Sequence, residues 1–146
     1  MKPTLKPGLT HRVTYLVAER TTVPQTYPEC PIFAAMPQVF ATGFMIILME
    51  RACTELLAEH LDAGQGSVGV HVDVSHLAAT LPGQTVTVDA ECTAVTGQRV
   101  TFRVKAHDGI DPIGEGRHER FVVMWDKFNS RLAAKAEKIA KVAQVA

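Results

Sequence analysis

The sequence predicts an α+β fold in which a curved antiparallel sheet wraps one long apolar helix and a second helix closes the chain. Three observations predict it. The stretch from Thr42 to Leu61 has helical length and carries Phe44, Met45, Ile46, Ile47, Leu48 and Met49 without a break. Four runs that alternate apolar and polar residues follow it, separated by short turns. One further strand-like run precedes it. A helix that apolar has to be covered on most sides, and a single sheet covers it by curving around it.

The elements follow in order. His11 to Ala18 reads as a strand. Arg20 to Pro37 holds four prolines, Pro24, Pro28, Pro31 and Pro37, which exclude a regular helix or a central strand. A long irregular segment of this kind suits a lid or a binding loop. Thr42 to Leu61 reads as one helix of roughly 20 residues, about 30 Å long. Its second half has a polar stripe of Arg51, Glu55 and Glu59 at helical spacing. Ser67 to Thr80 alternates, with Val68, Val70, Val72 and Val74 on one parity, and ends in the turn Leu81-Pro82-Gly83. Thr85 to Val95 alternates through Val86, Val88 and Ala90. Turns at Thr96-Gly97 and Asp108-Gly109 bracket the strand Arg99 to Ala106, and the last strand runs from Ile113 to Trp125. Asp126 to Val145 reads as a helix with Phe128, Leu132, Ala136 and Ile139 beside a basic stripe of Lys127, Arg131, Lys135 and Lys138. Strand, apolar helix, four strands, helix is the order of the hotdog fold, and with no linker or repeat visible we expect one domain across residues 1–146.

Composition narrows the function. Hydrophobic residues make up 47% and charged residues 21%, the balance of a soluble globular chain. Fifteen basic residues offset fifteen acidic ones, so no broad field draws nucleic acid. Cys30, Cys53 and Cys92 are odd in number and contain no Cys-x-x-Cys pair, which argues against a disulfide framework and a thiolate zinc site. Met1 to Leu9 lacks the apolar core of a signal peptide, and Gly43 to Met49 is far too short to span a bilayer. We expect a cytoplasmic protein with no membrane, nucleic-acid, metal or redox-cofactor partner.

Function is sought in polar residues at positions assigned to the core. His76 shares the parity of Val68 to Val74; the plainer reading is a core histidine satisfied by backbone. His71 has the opposite parity, which argues against a metal joining the two. Glu50 has Gly43, Ile46, Ile47, Thr54 and Leu57 as helical neighbours, so it projects from the apolar side. A carboxylate there is paired, protonated, in a cleft, or at the edge and reaching water. Thr42 stands at the helix start before Gly43. Threonine is a common N-cap, and the free amides of a first turn also make an oxyanion site. Thr42 and Glu50 are eight residues apart, about 12 Å along a straight helix. If both serve one site, the helix start of one subunit meets Glu50 of another, which predicts a two-fold homodimer with sites at its interface.

Three runs carry a resemblance: Phe40-Ala-Thr-Gly-Phe-Met-Ile-Ile-Leu-Met-Glu50; Gly69-Val-His-Val-Asp-Val-Ser-His76 with Ala78-Ala-Thr-Leu-Pro-Gly83; and Ala106-His-Asp-Gly109 with Gly116-Arg-His-Glu-Arg120. From about His11 to Asn129 the chain resembles the fluoroacetyl-CoA thioesterase family. The resemblance implies a dimeric hotdog enzyme that hydrolyses acyl-CoA thioesters. It assigns the chemistry to Thr42, Glu50 and His76 and a carbonyl-polarising amide to Gly69, and gives Arg120 a supporting or CoA-contacting part. It lays a lid over Phe33 to Phe40, with Met36 at a position that is aromatic in the fluoroacetyl enzyme. A flexible methionine fills space loosely, which favours a different short acyl substrate. In the mechanism so implied, the Gly69 amide, with helix-start amides at Gly43, holds the thioester oxygen. Glu50 attacks or activates water, His76 carries the proton to the leaving thiolate, and Thr42 orients Glu50 or the carbonyl. CoA enters as part of the substrate; Arg117, Arg120 and Lys127 are the cations weighed for its phosphates.

Two other readings stand beside this one. A hydratase of the same fold carries an aspartate and a histidine on the long helix or its lead-in; here the helix has no aspartate before Asp62 and His60 lies at its far end. A non-catalytic acyl-CoA sensor or interaction module, in which the basic stripe of the last helix meets a partner, has no need of Glu50 in an apolar cleft. Cys53 sits inside the apolar helix, where core packing accounts for it.

Overall fold

The computed structural model describes residues 1–143. Strand β1 (Thr10–Leu16) leads into two single-turn helices, α1 (Val23–Thr26) and α2 (Pro31–Ala34), then the long helix α3 (Thr42–Ala58). Strands β2 (Gln65–His76), β3 (Thr85–Thr96), β4 (Arg99–His107) and β5 (Pro112–Met124) follow, and helix α4 (Trp125–Ala143) ends the described chain. The five strands form one sheet in the order β1-β3-β4-β5-β2, and every neighbouring pair is antiparallel. This is the expected curved sheet around one apolar helix. The proline-rich segment is less irregular than its composition suggests. Pro24 and Pro31 stand in the first turns of α1 and α2, where a missing amide hydrogen costs nothing.

The alternation of β3 and β4 sets the core. Val86, Val88, Ala90 and Cys92 from β3 and Val100, Phe102, Val104 and Ala106 from β4 are buried on the inner face. They meet Met45, Leu48, Met49, Ala52, Cys53, Leu56 and Leu57 of α3. Each large side chain so covered contributes about 1.5–3 kcal/mol. The opposite parity carries the outward charges, joined in cross-strand pairs such as Arg12 with Asp89 and Arg103 with Glu91.

Two expectations need correction. First, α3 is covered on one side only. Gly43, Ile47, Glu50 and Thr54 fall on one stripe, and it is open to solvent or only half-covered in this chain; one sheet cannot enclose a helix entirely. Second, β2 does not keep one parity. Its register with β5 shifts between Gly69 and His71, leaving Val70 as an inserted residue. Gly69 lies opposite Arg120, whereas Val72 lies opposite His118 and His76 opposite Gly114. The inner face is therefore lined by Ser67 and Gly69 before the bulge and by Val72, Val74 and His76 after it. Val70 and Val72 remain 46% and 44% exposed. Helix α4 forms as expected; none of its described residues is buried, and Leu132 and Ile139 are exposed. The expected end of this helix at Val145 lies outside the described residues.

Phe102 is fully buried at the centre of β4. Phe102→Ala is expected to cost about 3–5 kcal/mol through lost contacts and the cavity left behind, measured as a lower urea midpoint at an unchanged slope.

Candidate active site

The start of α3 is held from below. The amide of the fully buried Phe40 donates to the Thr80 carbonyl, and the Ala41 amide donates to the Thr21 carbonyl. The N-cap position is Ala41, with no side-chain cap. Thr42 is thus the first helical residue rather than the cap, and its hydroxyl is spent elsewhere: its Oγ1 lies 2.8 Å from Nδ1 of His76. The other ring nitrogen, Nε2 of His76, is buried with no partner among the described residues. Beside Gly43 there is open space where a side chain would stand, and the first-turn amides have no acceptor within the helix.

A cavity of about 500 Å³ opens at this helix start. Thr42 and Gly43 lie on its wall, with Phe44, Ile47 and Val23 around it, and Phe33 and Met36 of the expected lid line it from α2 and beyond. It is an apolar chamber with a hydroxyl, helix-end amides and, through Thr42, an imidazole at one end. A more charged depression of about 360 Å³ lies on the outer face of β2, β4 and β5. Its arginines Arg103 and Arg117 are already paired with Glu91 and Glu119.

Glu50 belongs to a second cluster. Arg120 projects inward from β5 and is 5% exposed. Its Nη1 donates to Glu50 Oε1 at 2.7 Å, its Nε to the Ser67 hydroxyl at 2.9 Å, and its Nη2 to the Ser67 carbonyl at 3.0 Å. A buried guanidinium with every arm satisfied is one that can stay charged. Each of its three nitrogens thus has a partner within this chain. Gly69 faces the same carboxylate: a Cβ built on it would lie 2.7 Å from Glu50 Oε1. A side chain at this position would push the Glu50 carboxylate from where it lies.

Within one chain the predicted residues therefore form two groups: Thr42, His76 and Gly43 at the cavity, and Glu50, Gly69 and Arg120 beneath the middle of α3. Thr42 does not orient Glu50 in its own chain, because each has a different partner. Arg117 lies outside, bound to Glu119, and Lys127 is exposed on α4. Burial pushes the Cys53 thiol up to about 12, which suits core packing and not nucleophilic attack. The sequence reading missed His118. It is 2% exposed, with Nε2 3.9 Å from Glu50 Oε1 and 3.3 Å from Arg120 Nη1. The available signal was parity: His118 and Arg120 alternate with Glu119 on the face that Val122 takes into the core.

Comparison with known proteins agrees with this architecture. Residues 17–126 match the family described as FlK, fluoroacetyl-CoA-specific thioesterase. A fluoroacetyl-CoA thioesterase from Streptantibioticus cattleyicolor is 48% identical over 135 residues, covering 92% of this chain and 97% of the relative. A solved structure of the fluoroacetyl-CoA thioesterase FlK superposes with a TM-score of 0.87 at 48% identity, over 90% of this chain and 97% of that one. A Thermus thermophilus protein described as a thioesterase superfamily member gives a TM-score of 0.86 at 27% identity, over 95% and 98% of the two chains. Fold and relatives together define a hotdog thioesterase acting on acyl-CoA thioesters. The chain belongs to the fluoroacetyl-CoA-specific thioesterase family.

Burial, and then the charge of Arg120, hold the proton affinity of His118 below that of an ordinary histidine, against the opposing pull of the His71 carbonyl and Glu50. The unfolded chain, where histidine titrates near 6.5, therefore binds this proton more readily than the folded one. Stability from a neutral His118 is present above that pH and is lost as pH falls below it. Thermal melts between pH 8 and pH 5 are expected to fall with acid, and to fall less steeply in His118→Phe.

Proposed function

We propose that this protein hydrolyses a short or small acyl-CoA thioester, with Thr42, Glu50 and His76 in one site built from two copies of the chain. The observation that carries the reading is the Thr42–His76 hydrogen bond of 2.8 Å at the end of an apolar chamber. A hydroxyl and an imidazole meeting a helix start suit a thioester carbonyl, and the chamber suits its acyl group. The carboxylate that this half lacks is supplied in the proposal by Glu50 of a second copy.

Two features support the homodimer. Among the described residues strand β2 pairs with β5 alone, so its other edge is free there, and a long unpaired edge with exposed valines is normally covered. The open stripe of α3 that carries Ile47 and Glu50 lies uncovered as well. A two-fold arrangement would bury both and bring Glu50 to the partner's Thr42–His76 pair. The working unit is then one hotdog domain per chain, residues 1–146.

In the proposed reaction the thioester oxygen rests against the Gly69 amide and the first-turn amides at Gly43. Glu50, held by Arg120, either draws a proton from a water that attacks the carbonyl carbon, or attacks it itself to form an anhydride that water then hydrolyses to the free acid and the Glu50 carboxylate. The C–S bond breaks with its electron pair on sulfur, and His76, steadied by Thr42, delivers the proton to the thiolate. Phe33 and Met36 close over the acyl group. Met36 is more yielding than an aromatic ring, so the preferred acyl group is one other than fluoroacetyl. The protein works in the cytoplasm, a reading supported by three free cysteines and by the absence, among the described residues, of a helix long and apolar enough to cross a membrane.

The test is CoA release from acetyl, fluoroacetyl, propionyl, phenylacetyl, benzoyl and long-chain CoA esters. Turnover of one short or small acyl group, reduced by about 10²-fold or more in Glu50→Gln and in His76→Ala, is the expected result. Binding of CoA esters without turnover would replace the hydrolase with the acyl-CoA sensor. Gly69→Ala places a methyl group against the Glu50 carboxylate. It is expected to lower kcat while leaving the fold intact by circular dichroism.

A further inference from the structure

His118 stands two residues before Arg120 on the same inner face of β5, opposite Val72 in the register. Its Nδ1 lies 2.9 Å from the carbonyl oxygen of His71. A carbonyl only accepts, so Nδ1 carries the proton. Nε2 then presents a lone pair, 3.3 Å from Nη1 of Arg120. That same nitrogen donates to Glu50 Oε1. The other neutral tautomer would set a lone pair against the His71 carbonyl and an N–H against a guanidinium N–H. An imidazolium would bury a second cation beside Arg120. Glu50, Arg120 and His71 are the titratable or charged groups that bear on the ring, and only the neutral Nδ1–H form satisfies both of its ends.

His71 is the first residue paired after the Val70 bulge. The ring thus touches two things at once: the backbone that turns Gly69 towards Glu50, and the guanidinium that holds Glu50. We propose that His118 is a positioning residue, a neutral Nδ1–H imidazole that ties the backbone of the β2 bulge to Arg120 and so fixes the aim of the Glu50 carboxylate. The proposal rests on the hydrolase reading for the use made of Glu50; the link between bulge, ring and guanidinium does not.

Two measurements on the full chain test it. In the ¹⁵N spectrum of histidine-labelled protein, the resonances lost in His118→Phe are expected to be those of a neutral Nδ1–H ring at pH 7. With acetyl-CoA as probe, or whichever ester of the panel is turned over best, His118→Phe is expected to lose about tenfold or more in kcat with KM little changed, as loss of an orienting group does. His118→Asn keeps a donor for the His71 carbonyl, and His118→Gln reaches towards Arg120 with an acceptor; each is expected to recover part of that loss. A ring that merely fills the core would lower the melting temperature and leave kcat alone well below the melt. An Nε2–H or doubly protonated ring in the native protein overturns the proposal, as does native kcat in a folded His118→Phe. If the phenylalanine variant does not fold, the asparagine and glutamine variants supply both the assignment and the kinetics. A native protein that turns over no ester refutes the hydrolase reading, and the tautomer then decides alone whether the link to Arg120 stands.

Discussion

Gly69 and His76 are seven positions apart on one strand, an odd separation that puts two residues on opposite faces of a regular sheet. Both nevertheless face α3, because Val70 is inserted between them and switches the parity of everything after it. Gly69 leaves the Glu50 carboxylate where it lies, and His76 gives Thr42 its partner. A one-residue irregularity at an edge strand therefore brings both ends of the site onto the inner surface. Bulges are found where a strand has to re-aim a side chain, and this one re-aims two.

The second constraint is electrostatic. Arg120 is almost wholly enclosed, and an enclosed cation without partners would cost several kcal/mol. It is tolerated because Glu50, the Ser67 hydroxyl and the Ser67 carbonyl take its donors. The carboxylate side chain remains 41% exposed, so Glu50 is anchored at one oxygen and still reachable. In the proposed site an anchor of this kind would do for Glu50 what packing does for a core side chain: remove rotamers before substrate arrives.

Much of this was legible in the sequence, and the reasons differ by element. The core strands β3 and β4 keep strict alternation over their inward residues, so Val86 to Cys92 and Val100 to Ala106 declare their face directly. The run Phe44 to Met49 declares an apolar helix, though not that the sheet covers only one side of it, and Glu50 stands out against it. The switch within β2 left no local mark, since Val68, Val70, Val72 and Val74 alternate as though the strand were regular. Only pairing with β5 reveals the extra residue. Thr42 was read as a cap because its position allows it, but the hydroxyl is claimed by His76, a contact between residues 34 apart in the chain. His118 was hidden by its setting: between Arg117 and Glu119 it looks like part of a charged exposed run, whereas the pleat turns it inward beside Arg120.

Helix α4 has a different standing from all of these. Its nineteen residues leave the last strand with Trp125 packed over Gly66 and none of them buried. Its first amide donates to the Gly64 carbonyl, and among the described residues none of its side chains is buried. Such a segment is where a chain absorbs change without disturbing its interior. Lineages are free to lengthen it, recharge it or join another module to it, while the interior under α3 stays under tight geometric constraint.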